Sequence, residues 1–569
     1  MCYTLYMSRY SIRNTEGDTL LDRLLHSRGI VNPEEKQAFL NPEYATGVHD
    51  PYLLKDMERV VKRIKDAVSK NEKICIYSDF DADGIPGAVV LHDFFKKIEF
   101  NNFENYIPHR HREGFGIHIA ALDEIALGGS TLVISIDCGI ADVEAATRAK
   151  ELGIDLIITD HHTPGEVLPE AYAIINPKQP GCEYPEKMLC GSGVIYKVVQ
   201  ALVKEFNLKE GTEKWWLDMV GIATLSDMVP LVGENRIFAH FGLVVLRKTR
   251  RIGLQKLFSA LKINPAHLVE EDITFMVTPR INAASRMADP KDAFILLSTT
   301  DEAEADLMVK HLEQINGERK TQVAQLVKQI HALVVERNLN EKPVIVLGNP
   351  NWKPPVLGLV ATNLVREYGK PVFLWGRSEE DVVKGSCRSP EGIDIVSVMR
   401  KISNPEKVYI NMGGHSASGG FSLTEEGVHI FEEQLIDSFN TIYNEQDSEG
   451  QGESILVDAY LESHEVSSGV WSAVSKLSPF GEGNPKPVFV LKSVSIEGVK
   501  MFGKQKEHIE IQIKTEGGKI AKAIKFFAAD DTVLISKIEG KNKVDILGHM
   551  EKSMFKNYPE YRLRIIDVI

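Results

Sequence analysis

The sequence predicts an α/β protein of several domains: a parallel-sheet domain, a long connecting helix, a smaller α/β domain and a C-terminal β-barrel. Three observations predict it. Between residues 73 and 176 short apolar runs alternate with helical ones, the pattern of βαβ units and a parallel sheet. From 301 to about 338 the chain is charged and helically periodic, with Leu307, Met308, Leu312, Ile315, Val323, Leu326, Ile330 and Leu333 on the repeat. Short alternating strands follow at 455–460, 487–499, 507–514, 519–528, 543–549 and 561–567, enough for a small closed barrel. A chain of 569 residues exceeds one core, and roughly 150 residues per domain suggests three or four.

Composition narrows the class. With 43% hydrophobic and 26% charged residues, the chain has ordinary globular make-up. No run approaches the roughly 18 uninterrupted apolar residues of a membrane helix, so no membrane partner is expected. The opening residues, Met1 to Tyr10, lack the basic-then-apolar order of a signal peptide. The six cysteines form no C-x-x-C pair, and the gap between Cys182 and Cys190 is wrong for a zinc clip. Reduced thiols and a cytoplasmic location are therefore expected. A net charge of −14 argues against indiscriminate nucleic-acid binding but leaves room for a local basic groove.

Residues 1–70 read as an N-terminal helical cap, with Asn32-Pro33-Glu34 opening a helix. The parallel-sheet domain, 71–300, begins with a strand at 73–79 that runs into Asp79-Phe80-Asp81-Ala82-Asp83-Gly84, and a helix at 85–98 follows. Three carboxylates thus gather at the carboxyl end of a strand, where open α/β sheets bind ligands. Carboxylates this close repel one another, and a divalent cation is the simplest way to stabilise them together. An EF-hand calcium loop would need a helix before it and a Glu at its twelfth position. Here a strand precedes it, and Val90 stands there.

The next strand ends repeat the theme. Strand 102–108 runs into His109-Arg110-His111, strand 131–137 ends in Asp137-Cys138-Gly139, and strand 155–160 ends in Asp160-His161-His162. A fifth strand is expected at 171–176, with helices at 117–127 and 141–152. In a parallel sheet these ends share one rim, so their side chains converge without being neighbours in sequence. A lone Asp after a strand is most simply a helix N-cap. Four successive ends delivering carboxylate, imidazole or guanidinium are not explained by capping. Asp227 lies in the last turn of an apolar helix that stops before Pro230, where the macrodipole disfavours a negative charge; either it is exposed and costs little, or a cation compensates it, and the other strand ends favour the cation.

The connecting helix is placed at 301–340, and a second α/β pattern fills 341–450, with a strand at 343–347 and a helix at 358–365. Its loops Gly385-Ser386-Cys387-Arg388-Ser389 and Gly413-Gly414-His415 are rich in small residues and backbone donors, which suits close approach of a phosphate backbone. Residues 440–453 read as a polar, acidic linker or helix end. In the barrel, 454–569, Lys486, Lys492, Lys500, Lys504, Lys506, Lys514, Lys519, Lys522 and Lys525 interleave with Phe502, Phe526 and Phe527. That fits a track for a single nucleic-acid strand. The plainer reading is solvated lysines around a phenylalanine core.

The ordered set Asp79–Gly84, Asp137-Cys138-Gly139 and Asp160-His161-His162 resembles the DHH phosphoesterase superfamily. The further stretches Leu189–Val194, Leu225–Leu231, Pro279–Arg286, Gly385–Ser389, Gly413–His415 and Pro479–Pro485 extend the resemblance to the RecJ family of single-stranded-DNA-specific exonucleases, over about 70–569. Two departures stand out. Lys353 and Pro355 occupy positions where RecJ proteins usually show His and Gly, and Ser285 stands where glycine is common. The extra C-terminal domain of some longer members is expected to be missing.

The resemblance implies a DHH catalytic domain, a DHHA1 domain and a C-terminal OB-fold. It also implies two divalent ions, Mn²⁺ or Mg²⁺, which hard carboxylates with imidazoles suit better than a soft thiolate metal. The expected ligands are Asp81, Asp83, Asp137, His161 and Asp227, with Asp137 bridging; Asp79 and His162 are ligands or orienters of ligands. Asp137, His161 and Asp81 are the expected catalytic core. Arg110, Arg286 and His415 would neutralise phosphate, Asn282 would orient substrate, and Lys353, Ser386 and Arg388 would hold the strand. The implied activity is 5′→3′ removal of 5′-mononucleotides from single-stranded DNA in repair and recombination. A single-stranded-DNA-binding protein and a helicase are the partners it suggests. The alternative is a DHH phosphodiesterase for short oligoribonucleotides or other small phosphate substrates, and residues 454–569 count against it. A catalytically dead binding protein is a third class, opposed by the full set of acids and both histidines.

Overall fold

The run Lys73–Ser78 forms a strand, β2, because it is short and apolar and is buried on both faces from Ile74 onward. It belongs to a computed structural model that describes residues 10–13, 15–378, 381–443, 455–515, 517–528, 531–541, 543–554 and 558–569. The opening residues 1–9 and the expected linker from 444 to 453 lie outside these. The chain divides into two units: Asp50–Asp227 with Phe241–Glu449, and Met1–His49 with Met228–His240 and Gly450–Ile569.

In the first unit β2 pairs with β3 (Phe103–Tyr106) and β4 (Ser130–Ile136), and β5 (Asp155–Thr159) and β6 (Ala173–Ile175) extend the sheet. The order is β3-β2-β4-β5-β6, and every pairing is parallel. Helices Gly84–Lys97, Ile119–Leu127 and Val143–Glu151 make the crossovers expected from the sequence. One sheet face packs Tyr77, Val133 and Ile158 against Leu122, Ile125 and Ala149. Register is what matters for the site. Ser78 lies beside Ile136, Ile136 beside Thr159, and Thr159 beside Ile175. The residues just beyond these, Asp79, Asp137 and Asp160, therefore stand in a row along the rim.

Helix Glu302–Glu336 is capped by Asp301, whose carboxylate accepts from Glu304 N at 2.7 Å. At 35 residues it spans about 50 Å. Its first half packs on helices Ile252–Ala260 and Thr278–Met287, and its last turns place Ile330 and Val334 in a core with Ile345, Leu347 and Trp352. That core belongs to a second sheet of β7 (Ile345–Gly348), β8 (Val372–Arg377), β9 (Val383–Arg388), β10 (Tyr409–His415) and β11 (Ser418–Leu423), ordered β10-β11-β9-β8-β7. Only β7 and β8 pair in parallel. The helix expected at 358–365 is longer, Pro354–Tyr368, because both prolines fit its first turn, where no donor is needed.

In the other unit β14 (Phe489–Phe502), β15 (His508–Lys514), β16 (Ile520–Lys525), β17 (Lys543–Ser553) and β18 (Glu560–Val568) close into a five-stranded barrel. Along β15 the interior alternation is clean, with Ile509, Ile511 and Ile513 all buried. The expected strand at 455–460 is two short strands, β12 (Ile455–Val457) and β13 (Ala459–Leu461); β1 (Tyr10–Ile12) pairs with β12, and β13 with β14. Leu24 and Leu25 of helix Leu20–His26 enter the barrel core. Residues 10–49 thus group with the barrel, and 50–70 with the parallel sheet. Arg236 pins the segment from 228 to 240: its guanidinium donates to Leu477 O at 3.1 Å and Ser478 O at 2.8 Å and covers the Phe39 ring. Among the described residues no helix is long and apolar enough to cross a membrane.

Candidate metal centre

Each rim residue is placed by its own strand. Asp79 N donates to Ile136 O at 3.1 Å and Asp137 N to Thr159 O at 2.9 Å, which continues the ladder one residue past the strands. Asp137 then turns through the left-handed region, φ 63°, a conformation that Asp tolerates better than most residues. It does not cap a helix, since the next one starts at Val143 after Asp142. Asp81 Oδ1 accepts from Asp83 N and Gly84 N, at 2.7 and 3.2 Å, and so orders the turn into helix Gly84–Lys97. Asp83 faces the N-terminus of helix Gly191–Glu205, where Gly191 N and Ser192 N donate to its two oxygens at 2.6 and 2.7 Å. Asp227 is the C-cap residue of helix Leu217–Ser226.

Three groups of side chains bring ligand atoms within 4.8 Å of one another: Asp79, Asp81 and Asp137; Asp83, His161 and Asp227; and Asp137, His161 and His162. Asp137 and His161 are each shared by two groups. His161 Nε2 lies 3.2 Å from Asp137 Oδ1, 3.7 Å from Asp227 Oδ2 and 3.9 Å from Asp83 Oδ2. His162 Nδ1 is directed to Asp160 Oδ1 at 2.7 Å.

The electrostatics describe a site that lacks positive charge. Burial, then neighbouring carboxylates, push Asp79 and Asp137 well above the usual carboxylate range, Asp83 to about 6 and Asp227 to about 8. Burial, with the charge of His162 beside it, lowers His161 to about 3, which keeps that imidazole neutral. Burial would lower His162 too, but the Asp160 carboxylate outweighs it and holds the ring at about 9. Asp79 Oδ1 and Asp137 Oδ1 are buried without a hydrogen-bond partner. Orphaned carboxylate oxygens beside a neutral imidazole are the donor set that a hard divalent cation needs.

Beyond the acids stands a cluster of cations. Arg110, Arg286 and Lys353 line a cavity of about 430 Å³. Arg110 lies over the Phe80 ring, 4.8 Å from its centroid. Burial, then the charges of Arg110, Arg319 and Arg388, lower Arg286 to about 9, so the guanidinium group calls for an anion. Arg388 is packed over Gly358, where a Cβ would stand 2.9 Å from its Nη2, and Ser386 shares its face of β9 two residues earlier. His415, at the end of β10, is lowered by burial and by the charges of His162 and Lys178. Asn282 Oδ1 accepts from Ala82 N at 2.9 Å, so that oxygen braces the acidic turn.

Three contributors escaped the sequence reading. Asp160 anchors the histidine pair, the Gly191–Ser192 backbone holds Asp83, and Lys178 places a half-buried ammonium near Asp227 and Asp160. The first two sat inside quoted motifs and were legible as positions, not as roles; Lys178 carried no signal. In the barrel, Lys522 and Lys525 are paired with Glu560 and Asp531, whereas Phe527 is 82% exposed and is no core residue.

Comparisons with known proteins agree with this fold and its domains. Residues 73–224 match the DHH family, N-terminal domain, 341–445 the DHHA1 domain and 457–567 the RecJ OB domain. A Bacillus subtilis protein named single-stranded-DNA-specific exonuclease RecJ is 34% identical over 550 residues, 96% of this chain and 67% of its own length. One of the same name from Haemophilus influenzae is 30% identical over 527 residues, 89% of each chain. Among solved structures, RecJ in complex with Mn²⁺ from Thermus thermophilus superposes with a TM-score of 0.81 at 23% identity, covering 99% of this chain and 79% of that one, a likeness of fold. An exonuclease RecJ bound to manganese gives 0.60 at 28% identity, covering 71% and 98%. Fold and rim together define a DHH phosphoesterase. Within that class, the chain belongs to the RecJ family of single-stranded-DNA-specific exonucleases.

Proposed function

We propose that the chain hydrolyses single-stranded DNA from its 5′ end, one 5′-mononucleotide at a time, with two divalent ions, Mn²⁺ or Mg²⁺. The observation that carries this is the sharing of Asp137 and His161 between ligand groups, with Arg110 and Arg286 next to them. Asp79, Asp81, Asp83, Asp137, His161 and Asp227 would hold the ions. Bound there, divalent ions supply Lewis acidity toward phosphoryl oxygens and lower the pKa of a water to about 7.

This chain's residues do the rest. His161, kept neutral by burial, offers a lone pair. Asp160 fixes the His162 ring. Arg110, Arg286 and Arg388 neutralise phosphate charge through charge-assisted hydrogen bonds, with Lys353, Ser386 and His415 alongside; Asn282 keeps the Asp81–Asp83 turn in place. The barrel, through Phe527 and its remaining lysines, contributes a strand track. The domain division adopted is 71–300, 301–340, 341–450 and 454–569, with 50–70 joining the first and 10–49 and 228–240 grouping with the last. Buried free thiols at Cys75, Cys138, Cys182, Cys190 and Cys387 favour the cytoplasm, and the family resemblance favours a single-stranded-DNA-binding protein and a helicase as partners.

The test is digestion of a single-stranded oligonucleotide labelled separately at each end, beside its blunt duplex. Immediate release of a labelled mononucleotide from the 5′ end, with the duplex resistant, is expected. Release from the 3′ end contradicts the polarity, and equal degradation of the duplex contradicts the substrate.

A further inference from the structure

Helix Gly84–Lys97 starts beside the acids and ends, 14 residues later, at a different kind of surface. Its length puts that end about 20 Å from the carboxylate cluster. There Lys96, Lys97, Lys209 and Arg250 surround a cavity of about 660 Å³ whose wall includes Trp215. The volume lies within the range of sites for small organic ligands.

Charge and exposure mark the place out. Several surface cations of this unit are neutralised, Arg63 by Glu72 and Asp155, Arg148 by Asp123 and Glu151, Lys150 by Glu170 and Lys256 by Asp306; others, such as Lys248 and Lys310, make no ion pair among the described residues but are not gathered around an exposed ring. Lys97, Lys209 and Arg250 make no ion pair among the described residues, although the chain carries a net charge of −14. Lys96 meets Asn101 and the Phe103 ring and makes no ion pair with an acid among the described residues. Of the two acids at the cavity, Asp93 is held by Arg251 at 2.7 Å, which leaves Glu210 against four cations. Trp215 is 44% exposed while its neighbour Trp216 is buried. The Arg250 guanidinium lies 4.0 Å from the centre of the Trp215 ring, so indole and cation are already arranged as a stacking pair.

From this geometry we infer that the cavity is a second nucleotide site: a base stacks on Trp215, and its phosphate lies among Lys97, Lys209 and Arg250. An exposed indole offers stacking energy that every base can use, and unpaired cations offer a sequence-independent hold on phosphate. The distance along the helix makes this nucleotide distinct from the one being hydrolysed. The choice of a nucleotide over other phosphate-bearing rings rests on the nuclease reading; the anion and ring recognition do not.

The test is tryptophan fluorescence of the full chain in EDTA, where no turnover occurs, titrated with dAMP, with a short oligothymidylate and with inorganic phosphate. Saturable quenching that disappears in Trp215→Phe is expected, with its midpoint raised at least tenfold in the double variant Lys97→Glu, Lys209→Glu. Quenching by dAMP identifies a site for free nucleotide, and quenching by the oligomer alone a site for a nucleotide within a strand; either supports the inference. No Trp215-dependent signal, a midpoint indifferent to charge reversal, or phosphate binding as tightly as dAMP overturns it. Mn²⁺-dependent digestion by the double variant should stay within twofold of the parent. Binding without any digestion by the parent would remove the nuclease reading and leave the site.

Discussion

Asp160 Oδ1 accepts the Nδ1 proton of His162 at 2.7 Å and the backbone N–H groups of both His161 and His162, at 2.7 and 3.1 Å. One buried carboxylate therefore fixes the whole histidine pair, while its other oxygen accepts from Ile140 N at 3.0 Å. Asp160→Asn keeps the shape and removes the charge. It should lower Mn²⁺ affinity and activity by roughly 10–100-fold, the usual cost of losing a residue that orients metal ligands. Manganese titration, with circular dichroism to show an unchanged fold, checks it.

Gly191 is where a side chain cannot go. A Cβ there would stand 2.5 Å from Asp137 Cβ and Oδ1, and these are not the far end of a flexible chain. Gly191→Ala should displace Asp137 from the rim, cost about 1–3 kcal/mol of stability and abolish most hydrolysis. Urea unfolding and a digestion assay read the two effects. Unchanged activity would mean that Asp137 does not work from its observed position.

Arg286 is crowded by other cations and held to Pro355 O at 2.8 Å. Replacing it with Met removes a charge-assisted hydrogen bond to phosphate, worth about 1.5–3 kcal/mol. The expected fall in kcat/KM is on the order of 10–100-fold, with partial recovery in Arg286→Lys. Steady-state kinetics on an oligonucleotide decide it. The same experiment on Lys353 asks whether an ammonium replaces the family's usual imidazole.

The metal-free protein should lose stability as pH rises from 6.5 to 8.5. A carboxylate whose folded pKa is raised binds its proton more tightly in the folded state, so its contribution disappears as pH climbs through the folded value. Asp227, raised to about 8, His162, raised to about 9, and Asp79 and Asp137, raised well above the usual carboxylate range, all act in this direction. His161, lowered to about 3, opposes them only at the low end of the window, where the unfolded imidazole is still about half protonated while the folded one is neutral. Thermal unfolding in EDTA should show Tm falling with pH, and added Mn²⁺ should raise Tm more at pH 8.5 than at 6.5. A flat profile would mean that the acids are better solvated than their burial indicates.

How far the sequence reached follows from what is local. Strand ends are local, so Asp79, Asp137 and His161 could be placed on one rim before the strand order was known. The order β3-β2-β4-β5-β6 and its register, which turn a shared rim into a row, are tertiary. Asp227 was located by a charge at an apolar helix end, a conflict visible in the sequence itself. The roles of Gly191 and Asn282 depend on approaches across about a hundred residues or more, 2.6 Å from Gly191 N to Asp83 and 2.9 Å from Ala82 N to Asn282, which no pattern within one segment encodes. The same holds for Arg236, whose partners lie some 240 positions away. In the barrel, composition counted the lysines but not their acids, which lie across the sheet: Glu560 for Lys522 and Glu497 for Lys514.

The most direct measurement is a Mn²⁺ titration of the full chain followed by electron paramagnetic resonance, run in parallel on Asp137→Asn. Two bound ions per chain are expected, with spectral evidence of coupling between them; Asp137→Asn should bind at most one tightly and release no mononucleotide from a single-stranded oligonucleotide. Two ions bound equally well without Asp137, or digestion that persists in the variant, would contradict a metal centre built around that residue.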